Sequence, residues 1–119
     1  MIDTDNTLLF IGKARCKLAQ NNFYDPYIID DISSALKAKE YDYDNTRGLL
    51  ILKMEKSILC SKGKDAYSVI EPMLQRFYES RSLRLLQILG RDDTERMLSL
   101  PSKLFYTVME MDNSIVVQF

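Results

Sequence analysis

The chain contains no histidine, so a histidine general base, an imidazole metal ligand and an imidazole pH switch are all excluded. Its two cysteines, Cys16 and Cys60, have about forty residues between them, which fits neither a zinc site nor a CxxC redox pair. Both fall in helical patterns and read as small core residues. Asp42-x-Asp44-x-Thr46 has the opening spacing of a calcium loop, but that loop needs Gly at its sixth position and a bidentate Glu at its twelfth. Arg47 and Lys53 stand there instead, so the carboxylates read as caps. Ser34-x-x-Lys37 and Ser61-x-x-Lys64 match the spacing of a serine–lysine nucleophile without its companion motifs, and chance explains both. Asp30-Asp31 and Asp92-Asp93 are sequence neighbours, and neighbours on a helix diverge by about 100°, so neither pair faces one substrate. Capping and compensation of the helix dipole account for both pairs. Four scattered glycines build no phosphate cradle. The expectation is a protein with no catalytic residues, no cofactor and no metal.

Charge points elsewhere. Arg76, Arg81, Arg84 and Arg91, placed on one helix, project within roughly 140° of arc at about 100° per residue. They flank an apolar arc of Leu74, Phe77, Tyr78, Leu85, Ile88 and Leu89. Such arginines frame a protein interface, pair with acids or touch phosphates, and a solvated helix face is the plain alternative. Guanidinium rather than ammonium favours contact with a partner, because its planar fork makes paired hydrogen bonds. Five Phe, seven Tyr and six Met are more rings and thioethers than so small a core hides. Phe105, Tyr106 and Met109, on the last helix, are the candidates for an exposed docking stripe; most of the others fill the core.

The elements needed to position these residues read as helices almost throughout. The first spans about Thr7 to Gln20, with Asp3, Thr4, Asp5 and Asn6 as cap candidates and Leu8, Ile11, Arg15 and Leu18 at helical spacing. The second opens at Asp25-Pro26, carries Ile28, Ile29, Ile32, Ala35 and Leu36 on one side, and ends near Lys39. An acidic linker from Glu40 to Asn45 leads into a third from Thr46 to Cys60, closed by Ser61-Lys62-Gly63. The fourth runs from about Asp65 to Leu89 with Pro72 as an early kink or a late first turn, Gly90 ends it, and Asp92-Asp93-Thr94 cap a short turn. A last helix covers about Ser99 to Met111, and Ser114 to Phe119 is a short strand, arm or docked tail. The expected fold is therefore all-α: one domain over residues 1–119, a bundle of five or six helices with a short C-terminal tail.

The chain's 119 residues are 46% hydrophobic and 28% charged, as for one globular domain. Sixteen basic side chains against seventeen acidic ones give a net charge of −1, which argues against broad nucleic-acid or anionic-membrane binding. Free thiols, no signal-peptide pattern in Met1-Ile2-Asp3-Thr4-Asp5 and no long apolar run predict a cytoplasmic protein, or a nuclear one in a eukaryote.

Three segments resemble the helical domain of GINS DNA-replication proteins, the archaeal kind above all. They are Phe23-Tyr24-Asp25 with the helix Tyr27 to Lys39, the stretch Met73 to Leu86 (MLQRFYESRSLRLL), and Leu98 to Tyr106 (LSLPSKLFY). The resemblance implies a scaffold subunit linking a minichromosome-maintenance helicase to a RecJ-like partner and to polymerase or primase, with Tyr78, Arg81, Arg84 and Leu85 at family-like positions. Two features depart from the family: Pro101-Ser102-Lys103 replaces the acidic pair at the start of the last helix, and only Ser114 to Phe119 is left to represent the small β domain. The expected function is a non-enzymatic helical interaction subunit in an oligomer or hetero-complex, with sister subunits or a helicase-type assembly as partners. Its rival is a helical adaptor, chaperone or immunity protein with one protein partner. A third reading is nucleic-acid binding through the four arginines, weak at this net charge.

Overall fold

A computed structural model of the chain describes residues 4–55 and 65–119. Its order is α1 (Thr4–Gln20), α2 (Pro26–Ala35), β1 (Glu40–Asp44), β2 (Leu49–Lys53), α3 (Ala66–Ser80), α4 (Ser82–Leu89), α5 (Arg91–Ser99), a 3-10 turn (Ser102–Phe105), β3 (Thr107–Met111) and β4 (Ser114–Gln118). The four strands form one antiparallel sheet in the order β1-β2-β4-β3. The fold is thus mixed α/β, and the expected all-α bundle is wrong in two places.

The first error is the helix expected from Thr46 to Cys60. Asp44 does cap backbone amides, accepting from Thr46 N at 3.0 Å and Arg47 N at 3.3 Å, but what it caps is a turn. Gly48, at φ +63°, completes the reversal, and Leu49-Leu50-Ile51-Leu52 becomes a central strand between β1 and β4. A short unbroken apolar run reads equally well as a buried helix or a buried strand. The second error is the last helix. Ser99 closes α5, Pro101 precedes a single 3-10 turn, and Thr107 to Met111 pairs with β4 through a two-residue turn. Asp112 takes φ +43° in that turn, a conformation that Asp and Asn tolerate better than most residues.

Other elements follow the sequence more closely. Asp25 caps α2 by accepting from Ile28 N at 3.1 Å, and Pro26 takes the first turn, where its missing N–H is harmless. α2 stops at Ala35, four residues early, and Lys37 at φ +57° turns the chain toward β1. Pro72 lies inside α3. The long helix divides at Arg81, whose N–H reaches both Phe77 O and Tyr78 O, while Ser80 Oγ donates to Phe77 O at 2.9 Å. Past Gly90 the expected short turn is a nine-residue helix, with Asp92 and Asp93 in its first turn.

One core fills the space between the helices and the inner sheet face. Leu50, Leu52, Ile115 and Val117 point inward and are fully buried with Leu18, Ile32, Leu74 and Leu85. Each such side chain contributes about 1.5–3 kcal/mol by leaving water. Phe23, Tyr24, Phe77, Tyr78 and Phe105 make a chain of ring contacts through its centre, and Phe119 stacks on Tyr24 at 4.1 Å. On the outer sheet face Val116 is only 6% exposed between its cross-strand partners Ile51 and Met109. Cys16, expected in the core, is exposed. Cys60, Ser61, Lys64, Gly63, Asp3 and the end of the expected third helix lie outside the described residues.

Candidate functional site

α2 is bordered by a cleft on each side. Toward α3 lies a groove of about 320 Å³ lined by Tyr27, Ile28, Asp31, Met73, Arg76, Phe77, Ser80 and Arg81. Ile28 and Phe77 are core residues and form its apolar floor. Tyr27 and Asp31, one helical turn apart, make one wall, and Arg76 and Ser80, also one turn apart, make the other. Tyr27 is 76% exposed, and the Arg76 guanidinium has no hydrogen bond or ion pair among the described residues.

Toward β1 lies a larger cleft, about 430 Å³, walled by Tyr24, Asp25, Ile29, Tyr41 and Tyr43. Tyr41 Oη donates to Asp30 Oδ1 at 2.5 Å, which ties the edge strand to α2. The Asp25–Arg81 ion pair, 2.5 Å between Oδ2 and Nη2, separates the two clefts. Arg81 also lies over the Phe77 ring at 5.4 Å, so it fastens the N-terminus of α2 to the α3–α4 junction. A third depression, between α1 and α5, is lined by Leu9, Phe10, Lys13, Asp93 and Arg96, with Arg96 packed over Phe10 at 4.6 Å.

The structure separates the residues that the sequence groups together. Arg76 and Arg81 share the groove. Arg84 turns away, donating to the Asn21 carbonyl at 3.2 Å and to Gln87. Arg91 pairs with Glu95 on α5. Tyr78 is buried, its hydroxyl 2.8 Å from that of Tyr24. Phe105 and Tyr106 are core residues and form no exposed stripe; Met109 is exposed, on β3 rather than on a helix. Asp92 and Asp93 do sit at a helix start, whereas Asp30 and Asp31 lie in the middle of α2, where no cap or dipole explains them. The sequence reading passed over Tyr27, Met73, Tyr41 and Tyr43 and assigned Asp31 to capping. The i,i+4 pairs Tyr27/Asp31 and Met73/Phe77 and the alternation of Tyr41 with Tyr43 were readable signals, but they gain meaning only once α2 is placed between α3 and β1.

Burial raises the Tyr24 and Tyr78 hydroxyls above the ordinary phenol range, and burial with the Asp44 charge pushes Tyr43 up to about 12. These phenols stay neutral at ordinary pH. Among the described residues no three His, Cys, Asp or Glu side chains converge on a point that could hold a metal, and no helix is long and apolar enough to cross a membrane. Compared with known proteins, the chain matches no family model, no curated protein and no solved structure.

Proposed function

We propose that this protein is a non-enzymatic interaction subunit that docks a protein partner in the groove between α2 and α3. The observation that carries the reading is the placement of Tyr27, 76% exposed, in one groove with Arg76, which lacks a partner among the described residues, above an apolar floor of Ile28 and Phe77. Aromatic and arginine side chains around a partly buried apolar centre are what strong protein interfaces use as anchors. The fitting partner segment offers an apolar side chain to the floor and a carboxylate to Arg76.

A replication assembly is the partner class suggested by the resemblance to GINS proteins, which rests on the sequence of α2 and of the α3–α4 pair. The stretch Leu98 to Tyr106 contributes less, because it forms the end of α5, a 3-10 turn and the approach to β3. The test is affinity purification of the tagged full chain from its native host beside Tyr27→Ala and Arg76→Glu. A specific partner recovered by the parent and depleted about tenfold by both variants supports the groove. Equal recovery by all three refutes it. Helicase subunits in the eluate favour the replication reading, and a single toxin or effector favours an adaptor or immunity protein.

A further inference from the structure

We propose that the tyrosine-walled cleft between α2 and β1 is a second binding site, which accepts the cationic side chain of a lysine or arginine presented by a protein partner. This site goes beyond the groove and does not depend on it. Its volume, about 430 Å³, lies in the range of ligand sites and admits a long side chain together with part of the peptide carrying it. Tyr41 and Tyr43 supply aromatic walls, and the faces of such rings attract cations; Tyr24 lines the cleft but is buried, with Phe119 stacked on its ring.

The surrounding charge selects the same ligand. Asp25 stands on the wall, Asp30 is bonded to Tyr41, and Asp44 follows Tyr43. Arg81 compensates Asp25 and Arg47 compensates Asp44, but Asp30 has no ion-pair partner among the described residues. A phenol that donates its proton to a carboxylate also becomes richer in electrons, which strengthens the attraction of the Tyr41 ring for a cation. An anion would be repelled, and a neutral apolar group would strip water from Asp25 and Asp30 without replacing it. The sheet wall of the cleft is an edge strand, because β1 has β2 on one side only. Along that edge Glu40, Asp42 and Asp44 alternate with the two tyrosines; Lys53 pairs with Glu40 and Arg47 with Asp44, so a basic segment lying on β1 meets Asp42 outside the cleft and rings within it.

The experiment uses the full chain with ring-labelled tyrosine, followed by NMR. The probes are one short neutral peptide carrying a single lysine, trimethyl-lysine or arginine, the same peptide with the uncharged tert-butyl isostere of trimethyl-lysine, and choline alone. Saturable shifts of Tyr41 and Tyr43 are expected with the cationic peptides, with the isostere about tenfold weaker. Asp30→Asn, a surface change on an intact helix, and Tyr43→Leu each weaken binding about fivefold, while Arg76→Glu leaves it unchanged. Isostere and cation binding equally would overturn the proposal. So would the absence of saturation at roughly millimolar peptide, an undiminished response in Asp30→Asn, or choline binding as tightly as the peptides, which would assign the cleft to a small free cation.

Discussion

Tyr24 and Tyr78 each bury a hydroxyl that has the other as its partner, at 2.8 Å. Tyr78→Phe removes the hydrogen bond, worth about 1 kcal/mol net, and strands the Tyr24 hydroxyl in a dry site, which costs about 1–3 kcal/mol. Tyr24→Phe does the same in reverse. In the double variant both polar groups are gone and two phenyl rings keep the stacking, so its cost falls to about 1 kcal/mol or less. With each single variant costing about 1–3 kcal/mol and the double about 1 or less, the coupling energy is about 1–5 kcal/mol, and the double variant is no worse than either single one. Urea unfolding followed by far-ultraviolet circular dichroism measures all four corners at a common slope, and each kcal/mol moves Tm by roughly 4 °C in a domain of this size. Tyr106→Phe is the control. Its hydroxyl is buried with no partner among the described residues, so removing it costs less than about 0.5 kcal/mol or stabilises. Single costs that simply add in the double variant, or a Tyr106→Phe cost equal to that of Tyr78→Phe, would refute the reasoning.

High pH attacks the same phenols. Tyr24, Tyr43 and Tyr78 are all raised above 10.0, so the unfolded chain loses these protons first; stability is intact below pH 10 and falls as pH climbs toward 12, as urea unfolding and phenolate absorbance on either side of 10 will record. Gly12 and Gly90 both have open space where a Cβ would go, yet their substitutions diverge. Gly12→Ala, inside α1, raises stability by about 0.5–1 kcal/mol, while Gly90→Ala, at φ +85° and ψ 170°, lowers it by about 1–3 kcal/mol; Tm shifts of the same sign would contradict this. Arg81→Ala breaks the pair with Asp25 and the contact with Phe77, but 44% and 26% side-chain exposure limits the loss to about 1 kcal/mol, and the loss shrinks with added salt.

The sequence was most legible where chemistry acts over one helical turn. Asp25-Pro26 could open a helix and did, and the isoleucines of α2 fell on its buried side as their spacing required. It was least legible where one local device serves two structures. Asp44 satisfies the amides at positions two and three residues on, which opens a helix or closes a hairpin turn with equal ease. The Leu49–Leu52 run becomes a strand because β1 and β4 flank it, and β4 lies more than sixty residues away. At the other hairpin, Asp112-Asn113 between TVMEM and SIVVQ was a turn signal in plain view, outweighed by the reading of Ser99 to Met111 as one helix. The alternation of Tyr41 with Tyr43 becomes a cleft only once the sheet is in place, since the two share a face only in a strand.

The same logic explains why the four arginines do not act as one patch. Their common arc assumed one unbroken rod, and Gly90 and the break at Arg81 divide that rod into three helices. Arg81, at the first break, is drawn to Asp25 and becomes a fastener; Arg84, just beyond it, finds the carbonyl of Asn21; Arg91, past Gly90, has Glu95 one turn away on its own helix. Arg76 alone precedes both breaks, and of the four it alone lacks a hydrogen bond or ion pair among the described residues. On the proposed docking, a partner that needs a guanidinium meets Arg76 between α2 and α3, so Arg76→Glu should deplete the captured partner about tenfold with little change in stability, whereas Arg81→Ala, at a residue that also lines the groove, weakens the fold as well.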